Sequence, residues 1–273
     1  MKKTQVKAKT KSSDSSNQII LFDMDGTLTH PREEMESFMV KKLRQLSMYT
    51  KLGIVSGSDF DYIMQQCKIM FETGGVALDR VDILPCNGTK FLKWEQGNHK
   101  LIHEADMLAE IGAPSYKKIM KWLFNHQAEI SMLYPDVNFT GTFFQYRGSL
   151  LNWCPIGRIA NDTLRYGWTC QDNEWKIREI YMEKLQKYLK AKKIPVTVAL
   201  GGATSFDIYP DGWDKTYALD HYKEYEVFFI GDRCDEGGND WHIYHKLKST
   251  GKSYITTGPR HTTEIIDDIM KRL

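Results

Sequence analysis

What this chain has little of narrows the reading first. Its five cysteines, Cys67, Cys86, Cys154, Cys170 and Cys234, are odd in number, scattered, and form no Cys-x-x-Cys pair. That pattern excludes a disulfide framework and a cysteine zinc site, and it suits reduced thiols in a cytoplasmic protein. Charge of one sign is also lacking: 37 basic and 35 acidic residues leave a formal net charge of +2. No global field therefore argues for nucleic acid or a membrane as partner. Long apolar runs are missing, since none approaches the roughly 20 residues that span a bilayer. Internal repeats are absent. The first seventeen residues, MKKTQVKAKTKSSDSSN, carry almost no apolar side chains. Such a stretch cannot bury enough surface to offset ordering entropy, so a disordered tail is expected over 1–17.

What remains is ordinary for a globular protein. The 273 residues are 41% apolar and 26% charged, enough for a sizeable core. IILFDMDGTLT (19–29) reads as a buried strand stopping at two aspartates. Residues 31–49 predict a helix, with Met35, Phe38, Met39, Lys42, Leu43 and Leu46 on one face and Pro31 near its first turn. KLGIVSG (51–57) is a short strand, 59–70 a helix, and VDILPCNG (81–88) a strand and turn. The alternation resumes late, with strand EVFFIGD (226–232), helix 241–247, strand SYITTG (253–258) and helix 262–273. Alternating strands and helices argue a parallel sheet with right-handed crossovers.

The middle differs. It predicts a helix over 115–130, two strands within 139–154 turning at Arg147-Gly148-Ser149, a helix over 175–191 with Ile180 on its buried face, and two strands over 196–209. The simplest account is an α/β chain: a Rossmann-like core from 18–95 and 213–273, and an inserted cap over 96–212.

Three core strands end in polar chemistry: Asp23 and Asp25, Ser56 and Ser58, and Asp232. In open parallel sheets, ligands bind beyond the carboxyl ends of strands. Lys215, after the inserted block, can reach the same crevice. Clustered carboxylates stay ionised cheaply only around a cation, and oxygen ligands suit Mg²⁺ with a phosphate. Asp23 then has an oxygen to attack phosphorus, and Asp25 a position from which to exchange a proton. Ser56, Ser58 and Lys215 would hold the transferring phosphoryl oxygens. A lone aspartate after an apolar run is usually a turn or cap residue. The full DxDGT pattern, with a second strand ending Gly-Asp and Asn239-Asp240 after it, is far more specific.

At these residues the chain resembles the haloacid dehalogenase superfamily. LFDMDGTLTHPR (21–32), GSDF (57–60), PIGR (155–158), SFDIYPDGWDK (205–215) and FFIGDRCDEGGND (228–240) together resemble eukaryotic-type phosphomannomutases. The resemblance implies a haloacid dehalogenase-like core with an inserted α/β cap, paired as a homodimer through the caps. It implies interconversion of mannose 6-phosphate and mannose 1-phosphate, feeding GDP-mannose synthesis, with a hexose 1,6-bisphosphate as activator and intermediate. It makes Asp23 the phosphoryl carrier and Asp25 the acid/base. Mg²⁺ would be held by Asp23, the Asp25 backbone carbonyl and Asp232. It carries hexose-phosphate binding to Arg32, Arg147, Arg158, Arg165, Ser205 and Asp207. A mutase must also hold the phosphate that is not reacting, which suits arginine's planar fork.

This chain departs from the family pattern in Thr140-Gly141-Thr142-Phe143, where relatives often carry Arg-Gly-Thr-Phe, and in Ser56, which stands for a common glycine. The alternatives are a sugar-phosphate phosphatase of the same superfamily, or a non-catalytic binding scaffold on this fold.

Overall fold

The computed structural model describes residues 17–72, 74–134 and 136–272. The tail expected over 1–17 lies, except for Asn17, outside them. The chain opens with β1 (Gln18–Phe22), α1 (Ser37–Leu46), β2 (Lys51–Val55), α2 (Phe60–Gln66), α3 (Lys68–Glu72), β3 (Val81–Leu84), β4 (Lys90–Glu95) and β5 (Asn98–Glu104). The middle adds α4 (Met107–Ile111), α5 (Ala113–Leu133), β6 (Phe144–Tyr146), β7 (Leu151–Trp153), α6 (Asp162–Trp175), α7 (Ile177–Ala191), β8 (Val196–Gly201) and β9 (Ser205–Pro210). β10 (Glu226–Gly231), α8 (Trp241–Lys248), β11 (Ser253–Ile255) and α9 (Pro259–Met270) complete it.

Among the described residues these strands form a seven-stranded sheet, ordered β11-β10-β1-β2-β3-β4-β5, and a four-stranded sheet, ordered β6-β7-β9-β8. β11, β10, β1, β2 and β3 run parallel, while β4 and β5 are antiparallel additions. β1 is apolar from Ile19 to Phe22 because both its faces are covered there. Ile20 and Phe22 pack with Met39, Leu43 and Ile266 on one side, and Ile19 and Leu21 with Ala218 and Ile243 on the other. In the second sheet Leu151, Trp153 and Phe206 meet Trp122, Tyr181 and Leu185. Trp153 stacks on Phe206 with ring centroids 4.5 Å apart. Strand periodicity turns Asn152 and Asp207, which are paired in register, to the opposite face.

Several expectations need correction. The first helix starts at Ser37, not at 31, because Arg32 sits at φ 67 and its amide donates to Asp25. The helix expected over 59–70 is two, α2 and α3, parted at Cys67. α2 is capped by the Asp59 carboxylate, which accepts from Tyr62 N at 3.1 Å. The strands β4 and β5 belong to the core sheet, so residues 98–104 are not cap. The boundary expected at 96 falls on a two-residue turn, Gln96-Gly97, whose φ values of 53 and 86 suit a tight hairpin. The helix expected from 175 begins at Ile177, and Ile180 is exposed. α6, which precedes it, had no strong periodic signal: it holds Gly167 and buries only Trp168 and Asp172.

The cysteines are all free. Among the described residues no helix is long and apolar enough to cross a membrane.

Candidate active site

β1 lies between β2 and β10, where the chain's winding reverses direction. Such a switch point opens a crevice at the carboxyl ends of the strands. Asp23 and Asp25 follow β1, Ser56 and Ser58 follow β2, and Asp232 follows β10. The cap's polar sheet face completes the enclosure. One cavity of about 680 Å³ is lined by Asp23, Asp25, Arg32, Ser56, Ser58, Arg147, Arg158, Arg165, Ser205, Asp207 and Asp232. Every site residue singled out from the sequence faces it except Lys215.

Lys215 is buried behind the floor, with its ammonium donating to Asp23 Oδ1 and, at 2.6 Å, to Asp240 Oδ1. Burial opposes its charge, but Asp23 and Asp240 outweigh burial and raise its pKa, so it remains an ammonium. It does not line the cavity, so the expectation that it holds phosphoryl oxygens directly is corrected: its contact is with Asp23, which does line it. Asp240 is the residue that sequence reasoning left without a role. Its other oxygen accepts Arg233 N at 3.1 Å, so it anchors both Lys215 and the loop after β10. The Gly-Asn-Asp ending of the last motif was the available signal.

Asp23 Oδ2 accepts the Thr27 hydroxyl at 3.5 Å. Burial raises its pKa well above the ordinary carboxylate value; Lys215 pulls it down, and Asp240 and Asp232 push it further up. Burial also raises Asp232, helped by Asp240. Carboxylate oxygens of Asp23, Asp232 and Asp240 lie within 4.8 Å of one another, and Asp232 Oδ1 is buried with no hydrogen-bond partner. Three carboxylates around one ammonium leave negative charge in excess. With Asp240 committed to Lys215 and Arg233, the open oxygens of Asp23 and Asp232 fit a hard divalent cation.

The Asp25 carboxylate turns elsewhere. Its Oδ1 accepts Arg32 N at 3.1 Å and the Tyr62 hydroxyl at 3.3 Å. Burial raises its pKa against the lowering pull of both contacts. Ser56 Oγ accepts Ser58 N at 3.1 Å, which orders that loop.

The cap side is cationic. Burial lowers the pKa of Arg158 and Arg165, and neighbouring arginines, Arg147 and Arg32 respectively, lower them further. Arg147 Nη1 donates to Gly57 O at 2.8 Å across the core–cap seam, while its Nε is buried with no hydrogen-bond partner. Arg32 Nη1 reaches Asp162 at the start of α6 at 2.8 Å. Crowded guanidiniums around a cavity favour an anion, and phosphate matches their fork. Ser205 Oγ donates to Gly201 O at 2.8 Å, so this hydroxyl braces its own hairpin.

Gly26 fixes the carboxylate geometry. It has φ 84, and a Cβ there would overlap the Asp232 carboxylate. We expect Gly26→Ala to cost about 1–3 kcal/mol through strain and to displace Asp232. Thermal melts should then show a lower Tm, and Mg²⁺ titration a weaker response; an unchanged Mg²⁺ response would separate Gly26 from the metal ligands.

The fold and the site define the class first: a haloacid dehalogenase-type core beneath an inserted cap. Among solved structures, an IMP-nucleotidase of Plasmodium falciparum shares the fold with a TM-score of 0.66 at 11% identity, over 94% of this chain and 71% of its own. A trehalose-6-phosphate phosphatase of Aspergillus fumigatus does so at 0.51 and 17%, over 95% and 94%. A family model described as eukaryotic phosphomannomutase matches residues 37–272. A phosphomannomutase of Drosophila melanogaster is 31% identical over 262 residues, covering 93% of this chain and 95% of its own. Phosphomannomutase 2 of Dictyostelium discoideum is 32% identical over 259 residues, covering 94% and 98%. The chain belongs to the eukaryotic phosphomannomutase family.

Proposed function

We propose that this protein interconverts mannose 6-phosphate and mannose 1-phosphate through an aspartyl-phosphate on Asp23 and a hexose 1,6-bisphosphate. The observation that carries this reading is the two-sided lining of one cavity. Carboxylates from core strand ends face Arg147, Arg158 and Arg165 from the cap. Hydrolysis of a monophosphate needs only the first side, whereas a mutase also needs a seat for the second phosphate.

The residues divide the work as follows. With Asp23 phosphorylated, the C1 hydroxyl of mannose 6-phosphate gives its proton to Asp25 and attacks phosphorus. The Asp23–phosphorus bond breaks, and the 1,6-bisphosphate forms. The intermediate turns over, exchanging its two phosphates between the carboxylate side and the arginines. Asp23 then attacks the 6-phosphate, the bond from phosphorus to O6 breaks, and Asp25 returns the proton to O6. Lys215 holds Asp23 Oδ1, so the other oxygen is presented to phosphorus. Ser56 and Ser58 contact the transferring phosphoryl oxygens, and Ser205 and Asp207 the sugar side. Mg²⁺ held by Asp23, the Asp25 carbonyl and Asp232 supplies charge neutralisation when bound. A homodimer paired through the caps, a cytoplasmic setting, a bisphosphate activator and a product destined for GDP-mannose synthesis accompany this reading.

The test is purified protein with mannose 1-phosphate, Mg²⁺ and a catalytic amount of hexose 1,6-bisphosphate. Conversion to mannose 6-phosphate is expected, faster than free phosphate appears. Phosphate release without isomerisation would replace this reading with a phosphatase.

A further inference from the structure

Asn152 is 2% exposed, on an inner strand of the cap sheet. Its chain neighbours Leu151 and Trp153 pack into the helical layer, so the strand's two-residue period turns Asn152 to the cavity, which it lines. A buried amide is costly unless both ends are satisfied. Both are. Asn152 Nδ2 donates to Asp207 Oδ1 at 2.7 Å and to Phe206 O at 3.2 Å, and its Oδ1 accepts Arg158 Nη1 at 2.9 Å. A carboxylate on one end and a guanidinium on the other admit only this amide orientation. Asn152 thus stands between a cation and an anion that both face the ligand space.

We propose that Asn152 is a positioning residue: it spaces the phosphate-binding Arg158 from the hydroxyl-facing Asp207, and so governs affinity for hexose phosphates and discrimination between them. This rests on the phosphomannomutase reading for the ligand class. The physical need is direct. Without the amide, the Arg158 guanidinium and the Asp207 carboxylate attract and close on each other, which withdraws both from the ligand. With it, the two present a fixed span from phosphate to hydroxyl. A bisphosphate that must seat in either orientation meets the same span each time. Asparagine suits the task because one short side chain supplies both a donor and an acceptor. Aspartate would set two carboxylates against each other, and an aliphatic residue would leave both partners free to pair.

The experiment compares wild type with Asn152→Ala and Asn152→Asp in the full chain, with folding checked by circular dichroism. Calorimetry gives Kd for mannose 1-phosphate and glucose 1-phosphate, and steady-state assays give KM and kcat. For Asn152→Ala we expect Kd and KM to rise about 10- to 100-fold, as for a lost hydrogen bond to a charged group. kcat should change far less, and the preference between the two sugars should narrow. Asn152→Asp keeps the shape and should show a similar defect at neutral pH. That defect should shrink on acidification, as the introduced carboxyl protonates and donates again to Asp207. Should the alanine variant fail to fold, the near-isosteric aspartate variant decides alone. Folded variants with wild-type KM and sugar preference, or a loss confined to kcat, overturn the inference while the functional reading stands. A wild type that neither binds nor isomerises hexose phosphates overturns both.

Discussion

Asp23→Asn should remove phosphoryl transfer while leaving the fold intact. The amide cannot attack phosphorus, so activity should fall by on the order of 10⁴- to 10⁶-fold, the range seen when a catalytic nucleophile or its partner is removed. Stability should move the other way in metal-free protein. Burial beside Asp240 and Asp232 holds the Asp23 carboxyl's pKa above its ordinary value, against Lys215. A carboxyl raised in this way stabilises the fold in its protonated form. That contribution is present below the ordinary carboxylate range and is lost as pH rises through the raised folded value. Asparagine mimics the protonated form at every pH. Metal-free Asp23→Asn should therefore melt no lower than the parent at neutral pH, and the gap should close on acidification. Added Mg²⁺ should raise the parent's Tm by mass action and the variant's much less. Persistent isomerisation by the variant would remove Asp23 from the role of nucleophile.

Arg158→Ala should give the second largest effect, and a different one. Arg158 lies in the cap turn after β7 and faces the cavity, held to Asn152. In the proposed cycle it grips the phosphate that is not reacting. Its loss should lower kcat/KM for isomerisation by about 10²- to 10³-fold, comparable to removing one donor from a charge-stabilising site. Phosphorylation of Asp23 by a bisphosphate should suffer less than the full cycle. Free phosphate released per isomerisation should therefore rise, because an intermediate held at one end departs before it turns. Arg158→Lys should recover part of the loss, since a point charge returns without the planar fork. Coupled assays for mannose 6-phosphate and inorganic phosphate on one sample read the ratio. An unchanged kcat/KM together with an unchanged ratio would leave Arg158 with no part in turnover.

Much of this site was legible because it is built from local signals. An apolar run that stops at Asp23, another at Ser56 and a third at Asp232 each mark a strand end, and a parallel sheet gathers such ends in one crevice. Of the cap arginines, Arg158 was legible in PIGR, whereas Arg147 and Arg165 came only with the family resemblance; all three line one cavity. Contacts across the chain were not legible. Lys215 lies 192 positions from Asp23, and nothing local says it turns away from the crevice to brace that carboxylate. Asp240 looked like the end of a motif, yet it is wholly buried against the same ammonium. Asn152 carries no motif, and its meaning comes from register, with Asp207 directly across the sheet. In the fold, the β4–β5 hairpin was missed because Gln96-Gly97 is a weak turn signal that works only with both φ values positive. α6 was missed because its buried stripe is two residues deep.

The order of strands also sets a schedule. β1 finds β2 nearby in sequence, but its other neighbour is β10, which pairs Gln18 with Glu226 across 208 positions. A chain made from its N-terminus completes the whole cap before β10 exists. Until then one edge of β1, with its run of Ile19, Ile20, Leu21 and Phe22, is unpaired and apolar, the kind of edge that recruits other chains. Closing so long a loop is also entropically slow. The strand that leads into Asp23 is therefore among the first segments made and among the last secured, and Lys215, Asp232 and Asp240 reach Asp23 only after the four-stranded sheet of the cap has been synthesised.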